Sequence, residues 1–148
     1  MNTPHTPLDA LTFVQSAIGD LLRSEQTRLR TMNDQLREHL DGDKFGAKAD
    51  GQLSMIEVAA GMTESQILHT TRAAKYAEYL ELLRLRLMVQ DSPAVALQVL
   101  RKKVERELAD LAMAQVKQSA SAANNARGQA SLSAMGEVLS LFLDNLDD

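Results

Sequence analysis

Apolar side chains recur every three or four positions along most of the chain, and nowhere do they alternate with period two. Leu11, Val14, Ile18 and Leu21 open the series, and after a polar interruption Leu29, Met32, Leu36 and Leu40 resume it. Ahead of them Thr6-Pro7-Leu8-Asp9 supplies a hydroxyl at the cap, a proline at the first helical position and an acid in the first turn. The pattern predicts one helix from Pro7 to about Leu40, roughly 50 Å long, with a single apolar stripe to cover. A second series, Ile67, Leu68, Tyr76, Leu80, Leu83 and Leu87, runs to about Gln90. Asp91-Ser92-Pro93 repeats the cap-and-proline signal, and Leu97, Leu100, Val104, Leu108 and Leu111 mark the core face of a helix to about Gln118. SASAANNARGQAS, from Ser119, reads as a loop or frayed end before a last amphipathic helix bearing Met135, Leu139, Phe142 and Leu146.

Between the first two series lies DGDKFGAKADG, Asp41 to Gly51, with three glycines and no period, which predicts a linker. Two capping-box patterns follow, Ser54 with Glu57 and Thr63 with Gln66, and Gly61 between them is placed to end a helix in the left-handed conformation. The expectation is a helix-turn-helix with its turn at Gly61-Met62-Thr63. On its second helix Ile67, Leu68 and Thr71 would face inward, leaving Ser65, Gln66, His69 and Arg72 outward, where such side chains read base edges in a major groove. Glu57 departs from that motif, since a small residue is expected where its helices meet, and Glu64 would face phosphates. The same residues equally fit an ordinary helix-loop-helix corner. The expected fold is all-α: long helices forming a helical hairpin or bundle with a small helix-turn-helix unit. Residues 1–41 form the N-terminal helix, 42–51 the linker, 52–90 the helix-turn-helix running into a long helix, and 92–148 a helical hairpin with an acidic tail.

At 148 residues the chain is long enough for one self-sufficient domain, and with no cysteine it has neither disulfide nor thiolate chemistry. No secretory leader and no membrane-length apolar run is visible, so a cytoplasmic protein without a membrane partner is expected. The net charge of −4 is unevenly spread: Lys and Arg number 6 against 8 acids up to Asp50, 9 against 8 from Gly51 to Gln118, and 1 against 4 thereafter. Arg84, Arg86, Arg101, Lys102, Lys103 and Arg106 gather on two helices that turn back on each other. That is a candidate phosphate-contacting patch; the plainer account is a solvated face with Arg101–Glu105 and Lys103–Glu107 pairs. Three Phe, two Tyr and no Trp leave little for base stacking. His5, His39 and His69 have no metal-ligand spacing and no nucleophile beside them, and no glycine cluster resembles a phosphate loop. These absences predict a non-enzymatic protein without cofactor or metal. The end, EVLSLFLDNLDD, reads as a docking peptide or as the helix that closes the bundle. The stripe of Leu11, Val14, Ile18, Leu21, Leu29, Met32 and Leu36, with that of Leu97 to Leu111, offers more apolar seam than one small bundle needs, which predicts a homo-oligomer.

The order of parts resembles phage DNA-packaging proteins of the small terminase class and related phage helix-turn-helix proteins. The residues that carry the resemblance are EVAAGMTESQI for the motif, YAEYLELLRLRL after it, SPAVALQVL opening the next helix, and SAANNARGQAS leading into the last one, together spanning roughly Leu53 to Leu146. Such a protein would be a ring-forming adaptor in the host cytoplasm that binds double-stranded DNA at viral genome ends and hands it to a large terminase subunit. Ser65, Gln66, His69 and Arg72 would then read DNA, with Arg84, Arg86, Arg101, Lys102 and Lys103 on phosphates. The long N-terminal helix departs from that family, which begins with its DNA-binding unit. The alternative is a helical interaction protein, whether scaffold, chaperone or inhibitor, that does not bind nucleic acid.

Overall fold

The computed structural model describes residues 6–41, 49–117 and 122–145, with the side chains of 6–38, 63–114 and 126–144. These residues form four helices and no strand: α1 (Pro7–Asp41), α2 (Ala49–Met88), α3 (Pro93–Lys117) and α4 (Ala122–Asn145). The fold is all-α, as the periodicity requires. Residues 42–48 of the expected linker lie outside the described residues, as does Leu146, and Ala49 to Gly51 already belong to α2.

Both proline-led helix starts form as their sequences dictate. The Asp9 amide donates to Thr6 Oγ1 at 3.0 Å and the Val95 amide to Ser92 Oγ at 3.3 Å, so each hydroxyl satisfies an amide that has no partner inside its helix. At the other end of the α2–α3 turn, the Asp91 amide donates to the Arg86 carbonyl and the Gln90 amide to the Leu87 carbonyl. That pair of bonds closes a helix with a left-handed residue, and Gln90 occupies it at φ 63°.

No turn interrupts α2 at Gly61-Met62-Thr63: the helix is continuous, so the helix-turn-helix unit is not formed. A glycine inside a helix costs only about 1 kcal/mol relative to alanine, less than the several backbone hydrogen bonds that a break would forfeit. SASAANNARGQAS is likewise helical from Ala122 onward. Small side chains let α4 lie close on its neighbours, with Ala130 of this stretch and Ala134 just after it fully buried.

α2 is the central element. It packs along α1 and α4 and also touches α3; α4 rests on α2 and α3, and α1 and α4 meet least. Contacts such as Gln66–Asn33 and Arg72–Glu25 run the α1–α2 pair antiparallel, and Lys75–Glu107 with Lys103–Glu78 does the same for α2–α3. The start of α1, the end of α2, the start of α3 and the end of α4 therefore gather at one end of the bundle. The core fills that half: Leu11, Val14 and Ile18 of α1, Tyr76, Tyr79 and Leu83 of α2, Leu97, Leu100 and Val104 of α3, and Val138 and Phe142 of α4.

This corrects the oligomerisation stripe. Leu11, Val14 and Ile18 are buried in the chain's own core and Leu21 packs against it, as do Leu108 and Leu111 at the edge of α3. Leu29, Met32 and Leu36 are half-buried. One chain covers most of its own seam because α2 is a single helix long enough to lie along all of α1.

Candidate functional site

The base-reading side chains expected on α2 point elsewhere. His69 and Arg72 turn inward to α1, where Glu25 is 2 % exposed and is the one buried charged side chain among the described residues. His69 Nδ1 pairs with Glu25 Oε2, and Arg72 Nε stands 2.9 Å from Glu25 Oε1. Arg28 approaches the same carboxylate from the surface at 4.0 Å. Arg72 also donates to Ser133 Oγ on α4 at 2.6 Å and to the Tyr76 hydroxyl at 3.1 Å, so one guanidinium ties three helices together. Gln66 donates to Asn33 Oδ1 of α1 at 3.1 Å, and Ser65 is half-buried. The four candidate residues thus sit largely within the helix contacts of the bundle, because the face of α2 assigned to DNA is the face that α1 and α4 cover.

The periodicity left Glu25 unassigned, although the signal was there. It lies four residues after Leu21 and four before Leu29, on the apolar stripe of α1, and Arg72 lies four before Tyr76 on that of α2. Opposite charges in phase with two apolar stripes mark a buried ion pair. Burying a carboxylate is tolerable only where cations and hydrogen bonds replace its water, and here the Arg72 guanidinium and the His69 ring nitrogen do so. The Ser133 hydroxyl meets Arg72 rather than the imidazole, so the order of contacts is not that of a hydrolytic triad. Among the described residues no three metal-binding side chains come together, and no helix is long and apolar enough to cross a membrane.

Most of the candidate phosphate contacts are already neutralised. Arg84 forms a bidentate pair with Glu81, at 2.8 and 2.5 Å, and Arg86 lies 3.6 Å from Asp91. Arg101 meets Glu105 at 3.0 Å, and its guanidinium carbon lies 6.0 Å from the centre of the Phe142 ring. Lys103 meets Glu107 at 3.3 Å and Glu78 at 3.5 Å. Of the five, Lys102 is exposed without an ion pair among the described residues. The i,i+4 pairings read from the sequence are therefore formed.

No protein-family model, curated protein or solved structure matches the chain.

A second polar cluster lies between α2 and α3. Lys75 Nζ is 2.8 Å from Glu107 and 3.2 Å from Glu78, beside an open groove of about 420 Å³ walled by Leu111, Ala114 and Met135. Burial alone would lower the Lys75 pKa, but the hydrogen bonds to Glu107 and Glu78 outweigh it and raise it above the ordinary range. Burial would likewise raise Glu107, and Lys75 and Lys103 together bring it below the usual carboxylate value. Tyr79, fully buried, has its hydroxyl near these acids without a hydrogen bond of normal geometry. Burial first, and the Glu107 and Glu78 charges next, hold its phenol far above the usual value, and burial raises Tyr76 as well.

A phenol whose folded pKa is raised contributes stability that is complete below the unfolded value near 10 and is lost as pH climbs toward the folded one. The chain has only two tyrosines, so its phenolate absorbance reports on these two alone. At about pH 11 the native protein is expected to show little phenolate, with the signal rising only as helical circular dichroism is lost. Phenolate formation at about pH 10 with helicity intact would place one or both rings in water.

Seven large apolar side chains are exposed among the described residues, and all but Met113 of α3 lie toward one end of the bundle. Leu8, Leu85, Met88, Val89, Val95 and Leu143 are all more than two-fifths exposed, Met88 and Val89 the most at 65 % and 67 %. They belong to the four helix ends that gather at the end of the bundle, with Leu85 one turn inside α2 and Leu143 close to the end of α4.

Proposed function

We propose that this chain is a non-enzymatic helical interaction protein that docks another protein on the end of its bundle. The observation that carries this reading is the gathering of Leu8, Met88, Val89 and Val95 at one end, while most of the groups assigned to nucleic acid, Lys102 apart, have partners within the chain. Scattered exposed apolar residues are ordinary on a soluble surface; a concentration of them on helix ends from different parts of the chain is what a docking surface presents. The sequence-based alternative, a DNA-recognition adaptor, needs Gln66, His69 and Arg72 free, and they serve α1 and α4 instead.

The test pairs an apolar probe with DNA. The native protein is expected to enhance the fluorescence of an apolar-surface dye. Met88→Asp with Val89→Asp removes most of that signal without changing helicity, because neither side chain supports the core. At roughly 50 mM salt, where phosphate contacts are strongest, no retardation of duplex DNA is expected. Salt-steep retardation that Lys102→Ala weakens would overturn the reading in favour of a DNA-binding protein.

A further inference from the structure

We infer that the partner of the bundle end is a basic amphipathic helix of another protein; this rests on the reading of that end as a docking surface. Arg84 is paired with Glu81 and Arg86 lies 3.6 Å from Asp91, so each of these cations has an acid beside it. Asp9 in the first turn of α1 and Asp144 in the last turn of α4 are both exposed and have no ion pair among the described residues. Among the described residues of this end, the charges left without an ion pair are therefore negative; the nearest unpaired cation, Lys102, lies nine residues into α3. Asp144 is also placed against the electrostatic preference of its helix, because the carbonyls at a helix C-terminus already carry partial negative charge. A cation brought to that point relieves both.

An occupant has to satisfy two conditions at once. Its apolar residues must cover Leu8, Met88, Val89 and Val95, and its flanking charges must be positive to meet Asp9 and Asp144. A helix with apolar residues at i, i+3, i+4 and i+7 and Lys or Arg beside them meets both from one rigid element. A second copy of this chain stacked end to end would instead bring two acidic ends into one interface, and opposed like charges suppress association.

The experiment uses the intact chain and two synthetic helical peptides of identical apolar spacing, one built of Leu and Lys and the other of Leu and Glu. Binding is read by fluorescence anisotropy and mass by light scattering. The Leu/Lys peptide is expected to bind at least about tenfold more tightly than the Leu/Glu peptide. Val89→Asp with Met88→Asp should weaken it by about tenfold or more, and Asp9→Asn with Asp144→Asn by several-fold. Asp34→Asn with Asp110→Asn, exposed acids away from this end, should leave it unchanged. Equal affinity for the two peptides, or equal weakening by the distant acids, overturns the basic helix while leaving the end as a docking surface. A native mass of twice 16.3 kDa that Val89→Asp returns to one chain makes the occupant a second copy, and the inference again falls while the surface stands. If neither peptide binding nor mass responds to the changes at the bundle end, both readings fail.

Discussion

Glu25→Ala is expected to lower the unfolding free energy by about 3–5 kcal/mol, read as a shift of the urea midpoint at unchanged slope. The size follows from what remains behind. Arg72 is 17 % exposed, and without the carboxylate its guanidinium is left with no anion and little water to replace one. Arg72 would also lose its hold on α1 while still bonded to Ser133 and Tyr76, so the α1–α2 contact weakens more than α2–α4. A buried ion cluster is costly to break but not necessarily costly to replace. Glu25→Leu combined with His69→Leu and Arg72→Leu is therefore expected to recover most of the loss, since it removes the desolvated charges together. A loss below about 1 kcal/mol for Glu25→Ala would show that water reaches the carboxylate freely.

Leu100→Ala is expected to cost about 2–5 kcal/mol, against less than about 2 kcal/mol for Leu29→Ala. Leu100 is fully buried where α3 joins the core, so truncation loses its transfer energy and leaves a cavity that four helices cannot easily close. Leu29 is half-buried on the part of α1 beyond Glu25, where the neighbouring positions Arg28 and Arg30 are exposed and solvent can refill the space. Thermal or urea unfolding of the two variants in parallel reads the contrast directly, and equal losses would mean that the apolar core extends past Glu25. An acid at Leu108 acts in the same way: the side chain packs against this core, so Leu108→Glu weakens the fold rather than separating subunits.

The comparison of Gly61 with Gln90 shows where sequence reasoning reaches its limit. Thr6 and Ser92 cap their helices through bonds made within three residues, and such local chemistry is visible in any window that contains it. Gly61 carried a turn signal of the same kind, yet the backbone there is helical. The reverse happens at Gln90, which takes the left-handed conformation without being glycine, because Pro93 and the Ser92 cap fix where α3 begins and the chain has to reverse before it. The all-α class and the courses of α1 and α3 followed from periodicity, whereas the continuity of α2 and the direction of His69 and Arg72 did not. A helix with polar residues on a face reads as solvent-exposed until a partner helix carrying Glu25 is known to lie there. Similarly, Arg84 reads as a free cation until Glu81, one turn away, is weighed as the nearer claimant, whereas the Arg101–Glu105 pair was legible from its spacing.

Arg72 and Ser133 are 61 residues apart in sequence, whereas α1–α2 and α3–α4 join helices that follow one another along the chain. The two hairpins close short loops and can form early, on the timescale of local helix pairing; the α2–α4 contact must wait until both exist. The guanidinium that bridges them is then a late-forming bond. Weakening it at Ser133 should leave the refolding rate nearly unchanged and appear in the unfolding rate, so that this single side chain governs how long the assembled bundle persists rather than how quickly it is made.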